Sequence, residues 1–316
     1  MKNTFLLLLT VLCVMSVNAA NKYDNPDTLF VARDGTGEFR TIEDAVEVCR
    51  AFMEYHKVIY VKKGVYKEKL IIPSWLTNIE ICGEDVEKTI ITYDDHANIR
   101  LQTTGKPLGT FRTYTVKVEG SNITFTNITI ENNAARLGQA VALHTEGNHL
   151  IFRRCRLLGN QDTIYTGVGN TKVFFDNCYI EGTTDFIFGP STAWFENCTI
   201  HSKTNSYVTA ASTPADVEYG YVFNKCKLTA DEGVDKVFLG RPWRPYAYTL
   251  FMNCELGAHI VPVGWHNWGK ASNEQTARYA EYNNNGPGAA SDKRAVWSKQ
   301  LTKKQAAAIT FKTVMW

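Results

Sequence analysis

The chain has 316 residues and a formal net charge of +2, with no basic run or basic-aromatic stripe, which argues against a nucleic-acid partner. Its length exceeds that of a usual compact domain, although an elongated repeat fold escapes that limit. Aromatic residues make up 12% of the chain, a fraction that suits a carbohydrate-facing surface without proving one.

The first residues have the pattern of a secretory signal peptide. Lys2 precedes an apolar run from Phe5 to Val17, and small residues for cleavage extend to Ala20. The run is shorter than the roughly 20 apolar residues of a membrane-spanning helix. We predict a signal peptide over residues 1–20 and a secreted or periplasmic mature chain with no membrane span.

The cysteines and histidines bear on processing and on metal binding. A surface lipoprotein lipidated at Cys13 is the alternative to secretion, disfavoured because Thr10-Val11-Leu12 lacks the small residues expected there.

Removing residues 1–20 leaves seven cysteines, an odd number that cannot all pair within one chain. No CxxC and no Cys/His cluster with metal-ligand spacing occurs, so we predict no metal site. His144 and His149 would face opposite ways on a shared strand, and we expect surface or structural roles for both.

The segment before the middle of the chain predicts a helical cap and first coils. Thr41 can cap a helix that starts at Ile42, and Asp44 stands at the capping-box position in place of the usual Glu or Gln. Val58–Val61 then predicts a buried strand, followed by Gly64–Glu68.

A repeated phrase, F-x-[NRK]-[CI]-x-[IL], organises the middle of the chain. Its intervals of 27, 23, 20, 28 and 28 residues are typical of stacked coils. The six copies begin at Phe125, Phe152, Phe175, Phe195, Phe223 and Phe251.

Within each copy, the Phe, the Cys or Ile, and the last Ile or Leu are expected to point inward. The register jumps by three between the first two, which implies a bend, and Asn suits bends because it tolerates left-handed conformations. Short β-branched and aromatic runs replace helical periodicity, so the pattern predicts an all-β fold, a right-handed parallel β-helix. An all-β sandwich would not explain the phased phrase. Asn precedes the Cys or Ile in four copies, at Asn127, Asn177, Asn197 and Asn253.

The sequence after Gly269 is polar, with a Gly-Pro-Gly break at residues 286–288 and a predicted helix from Thr302 to Ala308. No linker-like change in composition precedes this tail, which disfavours a separate second domain. We therefore predict one domain over residues 21–316, with an N-terminal helical cap and a C-terminal tail packed along the solenoid.

Five of the repeated positions are cysteines that would stack on successive coils. They suit small apolar core positions, and coil spacing also permits disulfides, because bridged Cα atoms lie about 4.4 to 6.8 Å apart. We expect a mostly reduced ladder, with Cys155–Cys178 as the favoured bridge. The ladder consists of Cys155, Cys178, Cys198, Cys226 and Cys254.

Two copies of the phrase carry an aspartate at the same offset, Asp162 in the first and Asp185 in the next. Strands in a sheet lie about 4.8 Å apart, so adjacent coils would bring the two carboxylates close together. Two such carboxylates do not both ionise easily, which leaves one as a proton donor and the other as an anion. Two solvated turn aspartates are the plainer alternative, but identical phase beside apolar residues favours function.

The neighbours of this pair favour chemistry at a carbonyl. Retaining glycosidases also use carboxyls about 5 to 5.5 Å apart, so the pair alone does not exclude glycoside hydrolysis. Gln161 precedes Asp162, and Gln139 lies one coil earlier; neutral amide donors suit a developing oxyanion. Arg241 could keep one aspartate ionised. No GxSxG occurs, so the serine nucleophile elbow is absent.

These residues lie in motifs that resemble the pectin methylesterases (pectinesterases, carbohydrate esterase family 8). The likeness runs from about Phe30 into the tail, and the motifs occur in the family's order and at similar spacing. They are Gly64-Val65-Tyr66-Lys67-Glu68, Gln139-Ala140-Val141-Ala142-Leu143, Gln161-Asp162-Thr163-Ile164-Tyr165, Asp185-Phe186-Ile187-Phe188-Gly189 and Leu239-Gly240-Arg241-Pro242-Trp243.

The resemblance implies a role for each matching polar residue. Asp185 would be the nucleophile that attacks the methyl ester carbonyl. Asp162 would protonate the departing methanol, then act as base on the water that hydrolyses the acyl-enzyme anhydride. Gln139 and Gln161 would hold the oxyanion, and Arg241 would pair with Asp185.

The resemblance also implies a partner, pectin, and a groove for its sugars. Tyr165, Phe186 and Trp243 are expected to line that groove. The products would be pectate and methanol, with no metal or organic cofactor, and we expect a monomer. Plant members of the family have a disulfide at positions that match Cys155 and Cys178.

Two other functions fit a β-helix. A polygalacturonase or pectate lyase would also act on pectin, but the Asn-Thr-Asp and Gly-His-Gly signatures and a calcium cluster of acids are absent. A non-catalytic glycan-binding β-helix would not need two aspartates, two glutamines and an arginine together. We therefore favour the esterase.

Overall fold

The computed structural model describes residues 21–316, and the predicted signal peptide lies outside them. The chain winds into stacked coils, and most coils contribute one strand to each of three sheets. Neighbouring strands within every sheet pair in parallel, as in Leu143–Thr145 against Ile164–Thr166. The fold is therefore the predicted parallel β-helix.

An 11-stranded sheet forms one wall of the solenoid. Its strands are Leu29–Val31, Lys57–Val61, Thr77–Gly83, Ser121–Thr126, Leu150–Arg153, Lys172–Asp176, Thr192–Glu196, Tyr221–Asn224, Tyr248–Met252, Arg278–Tyr282 and Lys299–Gln300. An 8-stranded sheet follows it in each coil, with strands Gly64–Lys67, Thr89–Tyr93, Thr129–Asn132, Arg156–Leu158, Tyr179–Gly182, Thr199–Ser202, Lys227–Ala230 and Glu255–Leu256.

A 7-stranded sheet forms the third wall and carries the candidate site. Its strands are Leu70–Ile72, Val116–Val118, Leu143–Thr145, Ile164–Thr166, Ile187–Gly189, Tyr207–Ala211 and Phe238–Gly240. Short helices lie outside the sheets: the α-helices Ile42–Glu47, Ala271–Thr276, Lys303–Ala308 and Phe311–Met315, and the 3₁₀ helices Thr110–Arg112 and Ser291–Lys293.

The repeated phrase forms the core, as predicted. All six phenylalanines are fully buried, and their rings stack from coil to coil; those of Phe152 and Phe175 lie 5.1 Å apart. The predicted bend is present, because the residue before each Cys or Ile adopts a left-handed conformation with φ between +48° and +56°. These residues are Asn127, Arg154, Asn177, Asn197, Lys225 and Asn253.

The cysteine ladder is reduced throughout, so the favoured Cys155–Cys178 bridge is wrong for this structure. Each ladder thiol donates to the backbone oxygen of the phenylalanine one coil earlier; Cys155 Sγ lies 3.4 Å from Phe125 O, and Cys178 Sγ lies 3.3 Å from Phe152 O. The two sulfurs therefore act as buried weak donors in a stacked apolar row rather than as a crosslink.

The N-terminal helix caps the solenoid, with one difference from the prediction. Thr41 Oγ1 accepts the N–H of Asp44 at 3.1 Å, as expected of the N-cap. The capping box predicted at Asp44 does not form, since the Asp44 side chain does not accept the Thr41 N–H. The Glu68 carboxylate accepts the N–H groups of Ile42 and Glu43. A side chain from a neighbouring coil thus satisfies the exposed first turn.

The C-terminal tail packs along the solenoid, as predicted. Thr302 caps the helix Lys303–Ala308 with a complete capping box to Gln305. The last helix, Phe311–Met315, then lies on the outer face of the 11-stranded sheet. Its Val314 and Met315 join a cluster with Trp194, Val222, Leu250 and Met252.

Two remaining predictions concern histidines and membranes. His144 lies in a strand but His149 does not, so they share no strand; His144 is buried against Glu146, and His149 stacks on Trp316. Both contacts are structural. Within residues 21–316, no helix combines the length and apolarity needed to cross a membrane.

Candidate active site

The candidate site lies on the outer face of the 7-stranded sheet. His144, Tyr165, Phe188 and Ala210 occupy paired positions on successive strands and so form one row. Arg241 directly follows the next strand. The cleft above this row is lined by Thr110, Phe111, Gln139, Gln161, Asp162, Asp185, Phe188, Ala210, Arg241, Trp243 and Trp268.

Asp162 and Asp185 occupy equivalent positions on adjacent coils, as their phase in the repeat predicts. Ile164 pairs with Ile187, and each aspartate lies two residues before its member of that pair. The Asp162 N–H donates to Thr184 O at 3.1 Å, which ties the two turns together. Both aspartates adopt left-handed conformations, with φ of +67° and +49°. Both are buried, with only 8% and 6% of their surfaces exposed, so their charges are expensive unless paired.

The two carboxyls differ in their partners. Arg241 binds Asp185 through two parallel hydrogen bonds, Nε to Oδ1 at 2.9 Å and Nη2 to Oδ2 at 2.6 Å. Such a bidentate pair fixes both the charge and the orientation of a carboxylate. The Asp162 carboxyl makes no hydrogen bond to any side chain in the described part of the protein.

This difference separates the proton affinities of the pair. Burial raises the pKa of Asp162 well above its usual range, the Asp185 charge raises it further, and Arg241 opposes both effects. Burial also raises the pKa of Asp185, but the direct hydrogen bonds and charge of Arg241 offset part of that increase. Asp162 is therefore the better proton donor and Asp185 the better anion.

Aromatic rings hold the Arg241 guanidinium. The Tyr207 ring centroid lies 3.9 Å from its Cζ, and the Trp268 ring centroid lies 3.8 Å away. Contacts at this distance combine stacking with cation–π attraction. Arg241 is therefore oriented by packing as well as by its bond to Asp185.

Gln139 and Gln161 both reach the cleft, and their backbones are pinned to neighbouring coils. Ala140 N–H donates to Gln161 O at 3.0 Å, and Ala97 N–H donates to Gln139 O at 2.8 Å. Within residues 21–316, neither glutamine side-chain amide makes a hydrogen bond to another protein group. Two amide groups are thus free to bind a ligand oxygen.

Two of the three aromatic residues predicted to line the groove lie at the cleft, and the third does not. Trp243 lines the cleft, and Tyr165 packs at its edge between the rings of Phe111 and Phe188, each 4.8 Å away. The prediction for Phe186 is wrong, because its side chain is fully buried in the core. Phe188, which pairs with Tyr165 on the neighbouring strand, lines the cleft instead.

Sequence reasoning missed Phe111 and Trp268. Phe111 lies in the 3₁₀ helix Thr110–Arg112 with 47% of its surface exposed, and Trp268 lies in an irregular segment. Neither segment follows the repeat, so phase could not place them. The signals available in the sequence were a large aromatic two residues after Gly109 and the Trp265-x-x-Trp268 spacing.

Comparison with known proteins agrees with this geometry. The family model described as Pectinesterase matches residues 28–315. The chain is similar to Pectinesterase 31 of Arabidopsis thaliana, with 37% identity over 281 residues that cover 87% of this chain and 88% of the relative.

Solved structures show the same likeness. The pectin methylesterase from carrot has a TM-score of 0.84 and 32% identity over 92% of this chain and 93% of its own. A pectin methylesterase in complex with a hexasaccharide has a TM-score of 0.79 and 27% identity over 91% and 96%. The chain therefore belongs to the pectinesterase family and is a carboxylic ester hydrolase.

Proposed function

We propose that the protein hydrolyses the methyl esters of galacturonate residues in pectin, with Asp185 as nucleophile and Asp162 as acid and base. One observation carries the assignment: two buried aspartates lie on adjacent coils, and only one of them is paired with a cation. Family membership supports the substrate, and a similar enzyme with a hexasaccharide bound supports a chain of sugars in the cleft.

In the first half-reaction, one carboxylate oxygen of Asp185 forms a bond to the ester carbonyl carbon. The carbonyl electrons move to its oxygen, where the amides of Gln139 and Gln161 donate to the new oxyanion. When the intermediate collapses, the bond to the methoxy oxygen breaks, and Asp162 transfers its proton to that oxygen. Methanol leaves, and a mixed anhydride joins the galacturonyl group to Asp185.

In the second half-reaction, the ionised Asp162 removes a proton from a water molecule. The water oxygen attacks the galacturonyl carbon, and the anhydride bond to Asp185 breaks. This step restores the Asp185 carboxylate, which Arg241 holds, and leaves Asp162 protonated for the next turnover. The product is a galacturonic acid carboxyl group, which loses its remaining proton to the solvent and becomes a carboxylate.

The rest of the cleft supports a sugar chain. Phe111, Phe188 and Trp243 line the same cleft as the carboxyl pair. Sugar rings pack their C–H faces on such surfaces while their hydroxyls stay in water. We also infer that the protein is a monomer and that residues 1–20 are a signal peptide that directs its export, as the sequence predicts.

Methanol release from methyl-esterified homogalacturonan tests the function. We expect no activity for Asp185→Ala and a loss of at least about 100-fold for Asp162→Asn, since general acid–base catalysis contributes roughly 10² to 10⁴. Asp176→Asn is the matched control, because Asp176 lies in the same repeat but on the 11-stranded sheet. Shortened chains or unsaturated products without methanol would instead support a polygalacturonase or a lyase.

A further inference from the structure

A short irregular segment, residues 264–268, lies beside the strand that leads to Arg241. Leu239 N–H donates to Gly264 O at 2.8 Å, and His266 N–H donates to Gly240 O at 3.1 Å. Gly240 and Trp265 also form an isolated parallel bridge. The segment therefore extends the 7-stranded sheet next to the residue that precedes Arg241.

Within this segment, the His266 side chain holds the turn that carries Trp268. Its Nδ1 accepts the Trp268 N–H at 3.0 Å. Trp268 has a φ of +63°, a left-handed conformation that is costly for a bulky residue. Since Nδ1 accepts, the imidazole is neutral with its proton on Nε2. The bond thus helps to maintain a strained backbone.

The strained residue lies in the chain of contacts that leads to the nucleophile. The Trp268 ring covers one face of the Arg241 guanidinium, and Arg241 binds both oxygens of Asp185. The His266 ring itself packs near Tyr207, which covers the other face, and near Phe238.

We propose that His266 is a positioning residue: as a neutral acceptor, its imidazole fixes Trp268 over Arg241 and so orients the Asp185 carboxylate. The inference rests on the proposed roles of Asp185 and Arg241. A proton on Nδ1 would remove the acceptor, leave the Trp268 N–H without its partner, and add a second positive charge close to Arg241.

The surroundings of His266 favour its neutral form. Burial lowers the pKa of His266 below its usual range, and the Arg241 charge lowers it further. Arg241 and Tyr207 are the charged and titratable groups that face the ring from the packed strands; Phe238 is apolar. The imidazole is therefore neutral at neutral pH and gains its proton only as the pH falls below its usual pKa.

Two substitutions separate the acceptor from the ring. His266→Leu removes the acceptor but keeps apolar bulk. His266→Asn keeps an oxygen that can accept an N–H two residues on, as the Asn267 side chain already does for Gly269 N–H at 2.8 Å, and it cannot gain a proton. His201→Leu is the control, because His201 is also partly buried but lies on the 8-stranded sheet.

The experiment measures kcat and KM for methanol release from pH 4 to pH 8. We expect His266→Leu to lower kcat by about tenfold or more with a smaller change in KM, since small misplacements near a reacting group cost up to about 100-fold. His266→Asn should recover most of kcat, and in the pH range where His266 gains its proton it should be more active than the unsubstituted protein, down to the pH at which Asp185 itself becomes protonated. His201→Leu should match the unsubstituted protein.

Each other outcome overturns one specific claim. If His266→Leu keeps the same kcat and pH profile, His266 does not position the site, although the esterase function stands. If His266→Leu and His266→Asn lose activity equally with unchanged pH profiles, the ring acts only by packing. If the unsubstituted protein releases no methanol, the proposed function itself fails.

Discussion

The interior and the cleft of this solenoid use the same coils in opposite ways. Inside, neighbouring coils repeat one residue: the stacked phenylalanine rings lie 4.3 to 5.3 Å apart, from Phe125 to Phe251. Outside, on the 7-stranded sheet, almost every coil places a different side chain in the same row, from His144 to Ala210. Repetition specifies the architecture, and variation on one outer row supplies the chemistry.

The two aspartates lie where these patterns meet. They share backbone conformation, burial and phase, as repeated residues do. Their partners differ, because only Asp185 faces Arg241 two coils further on. The repeat thus delivers two equal carboxyls, and one non-repeated arginine assigns them different roles.

The largest effect is expected from the substitution that removes the difference between the two aspartates. Replacing Arg241 with Met removes the cation that lowers the pKa of Asp185, so burial raises that pKa further. Activity needs ionised Asp185 and is lost as the pH falls through its pKa, so the acidic limb of the kcat/KM profile should move to higher pH. At neutral pH we expect a fall of at least about 100-fold, as for loss of a preorganised charge.

Arg244→Met is the control, because Arg244 lies three residues away and is exposed. An acidic limb that stays in place in Arg241→Met, as it should in Arg244→Met, would show that Arg241 does not control ionisation of the nucleophile.

Substitutions of two phenylalanines, one in the interior and one in the cleft, test whether the interior determines stability and the cleft determines substrate binding. Phe175→Ala opens a cavity in the stacked row and should lower the free energy of unfolding by about 3 to 5 kcal/mol, with little change in KM for the remaining folded enzyme. Phe111→Ala removes an exposed cleft ring and should raise KM severalfold, since such contacts are worth roughly 0.5–1.5 kcal/mol, without lowering stability. Denaturant unfolding and steady-state kinetics on both variants measure this, and equal stability losses would refute the division.

The smallest effect concerns the cysteine ladder. We expect Cys178→Ala to cost only about 1 kcal/mol of stability, because one small buried atom is removed and no crosslink is lost. Titration of the denatured mature protein should yield seven thiols. Five thiols would mean that one disulfide forms after all.

Sequence reasoning succeeded where repetition made geometry visible. The period placed the inward phenylalanines, the left-handed bend residues and the stacked aspartates, because each coil repeats the same local conformation. The groove position expected for Phe186 was implied by the family resemblance and not by the repeat, and it is wrong: Phe186 is buried in the core, whereas Phe188 is the residue that pairs with Tyr165.

The remaining parts depend on contacts between segments that share no pattern. Glu68 caps a helix 26 residues earlier in the chain, and a shorter Asp44 side chain at the expected position does not. Trp268 and His266 meet Arg241 only because an irregular segment bridges to Gly240. Long-range contacts of this kind leave no periodic signal in a single sequence.

The central claim is that the pair holds one proton, on Asp162, while Asp185 is ionised. Carboxyl ¹³C NMR of aspartate-labelled protein, assigned with Asp162→Asn and Asp185→Asn, measures this directly across pH. We predict that the Asp162 signal remains that of a protonated carboxyl at the pH of maximal activity, and that the Asp185 signal is already that of an anion. An ionised Asp162 at that pH, or a protonated Asp185, would contradict the account.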